Sequence, residues 1–354
     1  MGRPEPVTSG AERQPGYTAL MIDGHLDLAY NVLAAGRDLT LPLDELRRDH
    51  PGALVTLPEL AAGGVGVVFG TIFVMPAAAA MGGSALKGRA YETPEEARAL
   101  ALEQLDLYER WEDEGRVRIV RTRGDLAGCL PAPATDDRPT GVVLLMEGAD
   151  PLRTPDDLAE WTARGLRIVG PAWGRTRYAG GTGAPGPLTE LGAELMHALR
   201  QEDVVLDVSH LAEESFWNAL ETGPEKLIAS HSNARTFVPT DRHLSDAMIR
   251  ALGAKGGVMG LVIANVFLDP EATAPNGGAL ADVKRHAEHV AGLIGWDCVA
   301  VGTDWDGGFG AYDVPAEVTR AADFARLGEA VPEAARADFL GGTWLRFLQR
   351  ALPE

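Results

Sequence analysis

Eight short apolar runs alternate along this chain with longer segments of helical periodicity. This alternation predicts βα units, whose strands pair in a parallel sheet. Several runs are almost continuously hydrophobic, as strands that are buried on both faces of a sheet are. The predicted strands are residues 19–23, 66–74, 141–146, 166–169, 204–208, 226–229, 257–262 and 298–302.

The chain has 354 residues, 45% of them hydrophobic, which is enough for one large barrel or two smaller domains. Because eight βα units occur without a linker-like stretch or an internal repeat, we expect a single-domain α/β fold, a (β/α)₈ TIM barrel over residues 18–354. Residues 1–17 are polar and are predicted to be a flexible N-terminus. The last forty residues are expected to be helices of the outer ring.

Local motifs refine this prediction. TPEE at residues 93–96 is a capping box with proline at the first helical position, so a helix should begin there. The Ala/Gly-rich segment 75–88 and the Pro/Gly-rich segment 180–187 are predicted to be long loops, which in compact domains are usually functional or mobile.

Charge and cysteine content exclude several classes of protein. A formal net charge of −19 argues against nucleic acid as a partner, because phosphate binding needs clustered Lys and Arg. Cys129 and Cys298 lie far apart, which suggests neither a disulfide framework nor a thiolate zinc site. No apolar run approaches the roughly 20 residues of a membrane span, and residues 1–16 have no secretion-signal core. We therefore expect a cytoplasmic protein without a membrane partner.

Potential metal ligands follow the predicted strands. In a parallel barrel the active site lies at the C-terminal ends of the strands. The first strand runs into His25 and Asp27, which point the same way in an extended backbone. The third strand ends in Glu147, whose burial without a cation would be costly. Later strands end in His210, His231 and Asp304.

Each of these residues has an ordinary structural explanation on its own. A lone histidine after a strand is more often hydrogen-bonded than metal-bound, Glu147 could pair with an arginine, and Asp304 could cap the turn DWDGG. Six such groups at the ends of five strands favour a metal site instead. Imidazole and carboxylate ligands suit zinc, and also manganese, iron or cobalt. Because the ligands are too many for one open tetrahedral site, we expect two metals that share a carboxylate.

These motifs resemble the membrane (renal) dipeptidase family, a branch of the metal-dependent amidohydrolase-like barrels. The matching segments follow the family order from about residue 20 to 350. They are IDGHLDL, GGVGVVFGTIFV, LLMEGAD, LDVSHL, ASHSNAR and VGTDWDG.

The resemblance implies roles for particular residues. It places His25 and Asp27 on one zinc ion, Glu147 between the two ions, and His210 and His231 on the other. It also implies that Asp304 is the general acid/base and that Arg242 binds the C-terminal carboxylate of the substrate. A guanidinium can bind a carboxylate through two hydrogen bonds, which suits the role of Arg242.

The chain departs from the family pattern at two positions. Trp173 stands where the family has a histidine that polarises the substrate carbonyl, and Ile263 stands where it has a tyrosine. Trp173 is expected to line the pocket. Alternatively, Arg175 or Arg177 of the same loop could replace the histidine and bind the oxyanion or a second substrate carboxylate.

The function expected is a dipeptidase-like hydrolase that cleaves the amide of a dipeptide or similar small carboxylate-bearing substrate by metal-bound hydroxide. Two divalent ions, zinc by preference, are the expected cofactors. Alternatives on the same site are hydrolysis of an N-acyl amino acid, lactone or phosphoester, or a non-catalytic metal-binding homologue. A homodimer is an open alternative to a monomer. Structural roles are expected for the remaining histidines, with the last two on a solvated helix face: His50, His197, His243, His286 and His289.

Overall fold

The computed structural model describes residues 20–79, 89–130, 138–272 and 274–354. Its main element is a parallel sheet that curls into a nearly closed (β/α)₈ barrel, which confirms the predicted fold class. The predicted flexible N-terminus, residues 1–17, lies outside the described residues, as does the 80–88 part of the predicted loop 75–88.

The eight barrel strands pair in chain order, each parallel to the next. Every predicted strand overlaps one of them. The Asp304 amide donates a hydrogen bond of 3.2 Å to the His25 carbonyl, which brings the last strand against the first. The strands are β1 (Met21–Leu26), β2 (Val65–Phe73), β3 (Thr140–Glu147), β4 (Leu166–Gly170), β5 (Val205–Asp207), β6 (Leu227–Ser232), β7 (Val258–Leu261) and β8 (Val299–Val301).

Short strands lie outside the barrel path. Val117–Ile119 pairs with β3, and Met75–Pro76 pairs with Ala90–Tyr91. Ala179–Gly181 and Ala184–Leu188 form an antiparallel hairpin, so the prediction of a long loop at 180–187 was wrong. The glycines that indicated a loop allow the two strands to approach closely: a Cβ on Gly180 would lie 2.5 Å from the Gly186 carbonyl oxygen.

Helices connect the strands, and the helix Pro94–Asp113 begins with the predicted capping box between Thr93 and Glu96. No helix in the described ranges is long and apolar enough to cross a bilayer. The other α-helices are Leu28–Leu33, Leu43–Leu46, Leu57–Ala62, Arg123–Ala127, Leu158–Ala163, Glu190–Gln201, Glu213–Thr222, Asp246–Ala254, Asn265–Leu268, Leu280–Ile294, Glu333–Ala337 and Thr343–Ala351. Tighter or wider helical turns span Pro155–Asp157, Trp296–Cys298, Ala321–Ala330 and Asp338–Gly342.

The C-terminal helix Thr343–Ala351 packs against the inside of the barrel rather than finishing the outer ring. Its Trp344 is fully buried, with its ring 4.8 Å from that of Phe69 and its indole nitrogen donating to the Val301 carbonyl. A Cβ on Gly24 would lie 2.8 Å from the Trp344 ring, so glycine makes room for the indole. Because this helix packs among the residues at the N-terminal ends of the strands, it leaves the opposite end for the site.

Candidate metal centre

The six predicted ligands and proton-transfer groups converge at the C-terminal end of the barrel. All are buried, with at most 8% of each residue exposed. The carboxylate of Glu147, at the end of β3, lies between the other groups. The residues are His25 in β1, Asp27 just after it, Glu147 in β3, His210 after β5, His231 in β6 and Asp304 after β8.

The two carboxylate oxygens of Glu147 face different partners. Its Oε2 lies 3.6 Å from Nε2 of His25. Its Oε1 lies 3.1 Å from Nε2 of His210 and 3.4 Å from Nε2 of His231. The rings of His25 and His231 stack at 3.6 Å, so the two groups of partners adjoin each other. One carboxylate therefore connects both halves of the cluster.

A second group of ligand atoms gathers around His25. Its Nε2 lies 3.9 Å from Asp27 Oδ1 and 4.0 Å from Asp304 Oδ1. A Cβ on Gly307 would lie 1.9 Å from the Asp304 carboxylate, so only glycine fits beside it. Asp304 and His210 both have a positive φ, 58° and 63°, which non-glycine residues rarely adopt and which is common at functional sites.

Hydroxyl groups that the sequence analysis did not single out orient the ligands. The Thr71 hydroxyl donates to Asp27, and the Thr182 hydroxyl lies 3.0 Å from Nδ1 of His210. Such partners set the tautomer and the ring orientation of a metal-binding histidine. The available sequence signal was weak: Thr71 is a polar residue within an otherwise apolar strand, and Thr182 lies in the hairpin mistaken for a loop.

A third orienting pair acts on His231. The Ser230 hydroxyl lies 2.7 Å from Nδ1 of His231 and donates a 2.5 Å hydrogen bond to the Asp207 carboxylate. The Ser230 oxygen therefore accepts a hydrogen bond from Nδ1–H of His231, which leaves Nε2 of His231 free to face Glu147. Both Ser230 and Asp207 are buried.

The buried carboxylates and imidazoles perturb one another. Burial raises the pKa of Asp304 well above its ordinary value, against the attraction of His25, and burial raises that of Asp27 to about 6. Burial disfavours the charged form of His25, but the carboxylates, Glu147 foremost, raise its pKa to about 10. Burial also opposes ionisation of Glu147, yet the attraction of His25, together with the adjoining rings of His210 and His231, holds the pKa of Glu147 well below the usual range.

The donor set fits divalent metal ions. Among the described residues, Nε2 of His25 and Oε1 of Glu147 are buried without a hydrogen-bond partner, which is costly unless something else binds them. Ligand atoms of His25, Glu147 and His231 lie within 4.8 Å of one another, as do those of His25, Asp27 and Asp304. Nitrogen and carboxylate donors at this spacing suit a divalent cation.

A cavity of about 550 Å³ opens over this cluster, and it contains only some of the predicted substrate-binding residues. Arg242 lines it, 4% exposed, and its guanidinium nitrogens have no hydrogen-bond partner within the described part of the chain. Its guanidinium lies 5.3 Å from the ring centre of Phe267. Trp173 also lines the cavity, whereas Ile263 is buried in the apolar core.

The structure does not bring Arg175 and Arg177 to the cavity. The exposed Arg175 donates to the Pro185 carbonyl of the hairpin. The Arg177 guanidinium lies 3.3 Å from Asp150 and donates to the Leu152 carbonyl. Both guanidinium groups are thus held by other groups, and the geometry does not support the alternative that either one replaces the missing histidine.

The helix Leu280–Ile294 buries one of its two histidines. His286 is fully buried, with Nδ1 accepting from the Ala234 amide and Nε2 3.0 Å from the Leu268 carbonyl oxygen. His289 pairs with Asp246 at 2.8 Å. The structural interpretation fits both residues, but the prediction of a solvated face was wrong for His286, because this side of the helix packs against the loops after β6 and β7.

Comparisons with known proteins agree with this architecture. A metallo peptidase from Rhodobacter sphaeroides, solved with a phosphinate mimic of the dipeptide L-Ala-D-Ala, superposes with a TM-score of 0.77. It is 24% identical, and the match covers 95% of this chain and 100% of that chain. At this identity the likeness establishes the fold.

Relatives in sequence include proteins without an assigned activity. An uncharacterized protein in the pqqA 5′ region of Klebsiella pneumoniae is 31% identical over 223 residues, 60% of this chain and 79% of that protein. An uncharacterized dipeptidase of Schizosaccharomyces pombe is 26% identical over 120 residues, 34% of this chain and 28% of that protein.

The family model described as membrane dipeptidase, peptidase family M19, matches residues 17–350, nearly the whole chain. This match spans all eight barrel strands and all six residues of the candidate metal centre. The chain therefore belongs to the membrane dipeptidase family, peptidase family M19, and is a metal-dependent hydrolase of the dipeptidase type.

Proposed function

We propose that this protein hydrolyses the amide bond of dipeptides, or of similar small substrates with a free carboxylate, with two divalent cations, zinc by preference. The observation that carries the proposal is the position of Glu147, whose two oxygens face separate groups of ligands. The dipeptide mimic bound by the Rhodobacter sphaeroides neighbour supports the same class of substrate.

The residues divide into two sets around Glu147. His25 and Asp27 would hold one ion, and His210 and His231 the other, with Glu147 bound to both. Bound divalent ions supply a Lewis acid for the scissile carbonyl and lower the pKa of a water molecule. The chain itself orients these ligands through the hydroxyls of Thr182 and Ser230.

Asp304 is proposed to move the proton. It lines the cavity beside His25 and Asp27, at the place where the scissile bond would lie. A carboxylate there can accept a proton from the attacking water and deliver it to the leaving amine. Its positive φ and the space left by Gly307 hold the carboxylate in this position.

Arg242 is proposed to bind the C-terminal carboxylate of the substrate. The buried guanidinium of Arg242 has no hydrogen-bond partner in the described ranges, and a substrate carboxylate would supply one. This contact would hold the substrate carboxylate at Arg242, so that the scissile bond, one residue away, lies at the candidate metal centre. Trp173 provides no imidazole for the scissile carbonyl, so polarisation of that carbonyl would be left to bound metal ions.

A substrate panel tests the proposal. Purified protein saturated with zinc is incubated with dipeptides, N-acetyl amino acids, a lactone and a phosphodiester, and product release is measured with Glu147→Gln as control. We expect the dipeptides to be cleaved fastest and the variant to lose turnover. Cleavage of only the N-acetyl amino acids, the lactone or the phosphodiester would show that the protein acts on that class of substrate instead. No turnover of any substrate with two ions bound would identify a non-catalytic homologue.

We also propose that the protein acts in the cytoplasm on a small-molecule substrate. Two free cysteines, Cys129 and Cys298, fit a reducing compartment. The net charge of −19 argues against nucleic acid as a partner. Sedimentation of the purified protein would decide between a monomer and a homodimer.

A further inference from the structure

Resting on the proposed dipeptidase activity, we propose that Tyr30, Phe73 and Trp173 form the subsite for the substrate side chain on the N-terminal side of the scissile bond. We call these three residues the aromatic wall. The subsite selects large apolar side chains, so the preferred substrates are dipeptides that begin with a residue such as phenylalanine or leucine.

The aromatic wall is continuous and borders the metal cluster. The ring of Phe73 lies 5.1 Å from that of Tyr30 and 5.4 Å from that of Trp173. All three residues line the cavity, although they come from three different segments of the chain. The ring of Trp173 lies 6.1 Å from that of His210, so the wall reaches the ligands on one side.

The barrel geometry places the aromatic wall across the cavity from Arg242. Phe73 is the last residue of β2, and Arg242 follows β6. In a closed ring of eight strands, the strand opposite β6 is β2. The candidate metal centre lies between the two sides, because Glu147 is the last residue of β3, which pairs with β2, and His231 lies in β6.

This placement sets the direction of the substrate. The guanidinium of Arg242 lies over Phe267, whose ring is 5.2 Å from that of Phe309. A dipeptide whose carboxylate binds Arg242 therefore has its C-terminal residue beside Phe267 and Phe309. Its scissile carbonyl lies at the metal cluster, and its N-terminal residue extends towards the aromatic wall.

The chemistry of this side of the cavity favours apolar groups. Aromatic rings present a large apolar surface with defined packing directions. Met75, which also lines the cavity, follows β2 and extends the apolar surface. Arg37 lines the cavity too, but its guanidinium lies 2.9 Å from the Asp306 carboxylate, which compensates its positive charge. A charged or very small side chain would leave the wall without a matching partner.

The test compares dipeptides X-Ala in which X is glycine, alanine, leucine or phenylalanine. Wild-type protein saturated with zinc should show kcat/KM rising from glycine to phenylalanine by about 10-fold or more in total, since even one added methylene in an apolar pocket can contribute roughly 10-fold. The reversed series Ala-X reports on the opposite side of the cavity and serves as the internal reference.

Variants assign the preference to the aromatic wall. Trp173→Ala should lower the ratio of kcat/KM for Phe-Ala to that for Ala-Ala by roughly 10-fold, because apolar contact surface is lost. Phe309→Leu is the matched control on the opposite face and should change the Ala-X series instead. Tyr30→Phe keeps the ring and should keep the ratio, whereas Tyr30→Ala should reduce it.

The outcomes separate this inference from the proposed function. Dipeptide hydrolysis with equal kcat/KM across the X-Ala series would overturn the subsite. A preference seen only in the Ala-X series would overturn the direction of binding and with it the assignment of the wall. Failure to hydrolyse any dipeptide with two ions bound would instead overturn the proposed function itself.

Discussion

The Ser230 hydroxyl lies 2.7 Å from Nδ1 of His231 and donates a hydrogen bond of 2.5 Å to the Asp207 carboxylate. This arrangement selects the tautomer in which Nδ1 of His231 carries the proton. The other ring nitrogen is then available to a cation beside Glu147. The buried Asp207 and Ser230 thus orient His231, a proposed metal ligand, although neither of them belongs to the proposed ligand set.

Ser230→Ala should weaken zinc binding without removing a ligand. We expect the dissociation constant for zinc to rise about 10- to 100-fold, the usual effect of losing an outer hydrogen-bond partner. Zinc titration against a competing chelator measures it. Ser245→Ala, which removes the N-cap of the helix Asp246–Ala254, is the control and should leave zinc affinity unchanged. Equal affinity in both variants would contradict the orienting role.

Glu147→Gln should reduce the metal content more than any change at His286. Only Glu147 faces both groups of ligands, whereas His286 bonds the Ala234 amide and the Leu268 carbonyl away from the cluster. We expect close to two zinc ions per chain in the wild-type protein and a clear loss in the variant, measured by metal analysis under saturating zinc. Equal loss from the two changes would show that Glu147 is the wrong bridging carboxylate.

Asp304→Asn should retain metal and lose turnover. An amide cannot accept and deliver the proton, so we expect kcat to fall by about 10²-fold or more, the usual contribution of a positioned acid/base. Steady-state kinetics and metal analysis on the same preparation measure both quantities. Wild-type kcat in a variant with full metal content would contradict the role assigned to Asp304.

Arg242→Lys should weaken binding of the substrate carboxylate. Loss of the paired hydrogen bonds of a guanidinium costs about 1.5–3 kcal/mol, which corresponds to a fall of roughly 10- to 100-fold in kcat/KM. The metal content should not change. Arg235→Lys is a matched control, because Arg235 pairs with Glu213 and does not line the cavity. Arg242→Lys should lower kcat/KM less for a dipeptide amide, which has no carboxylate, than for the free dipeptide.

The barrel and the ligand positions could be predicted from the sequence because both depend on local patterns. A strand buried on two faces needs a continuous apolar run, and a parallel barrel brings the residue after each run to the same end. His25, Glu147 and His231 could therefore be expected to meet before any contact was known. The C-terminal helix was misplaced, because amphipathic periodicity does not tell whether an apolar face packs on the outside of the sheet or, as Trp344 does, inside the barrel.

The tertiary structure alone decided which loop residues meet the cavity. Trp173 and Arg175 are two residues apart in one loop, yet only Trp173 lines the cavity, because the Arg175 guanidinium binds the Pro185 carbonyl of a hairpin that the composition had suggested was a loop. Likewise, Tyr30 in the helix Leu28–Leu33 and Phe73 at the end of β2 join Trp173 from separate βα units. Apolar periodicity along a strand is a property of neighbouring residues, whereas the direction of a loop side chain depends on partners distant in sequence, which only the folded chain brings together.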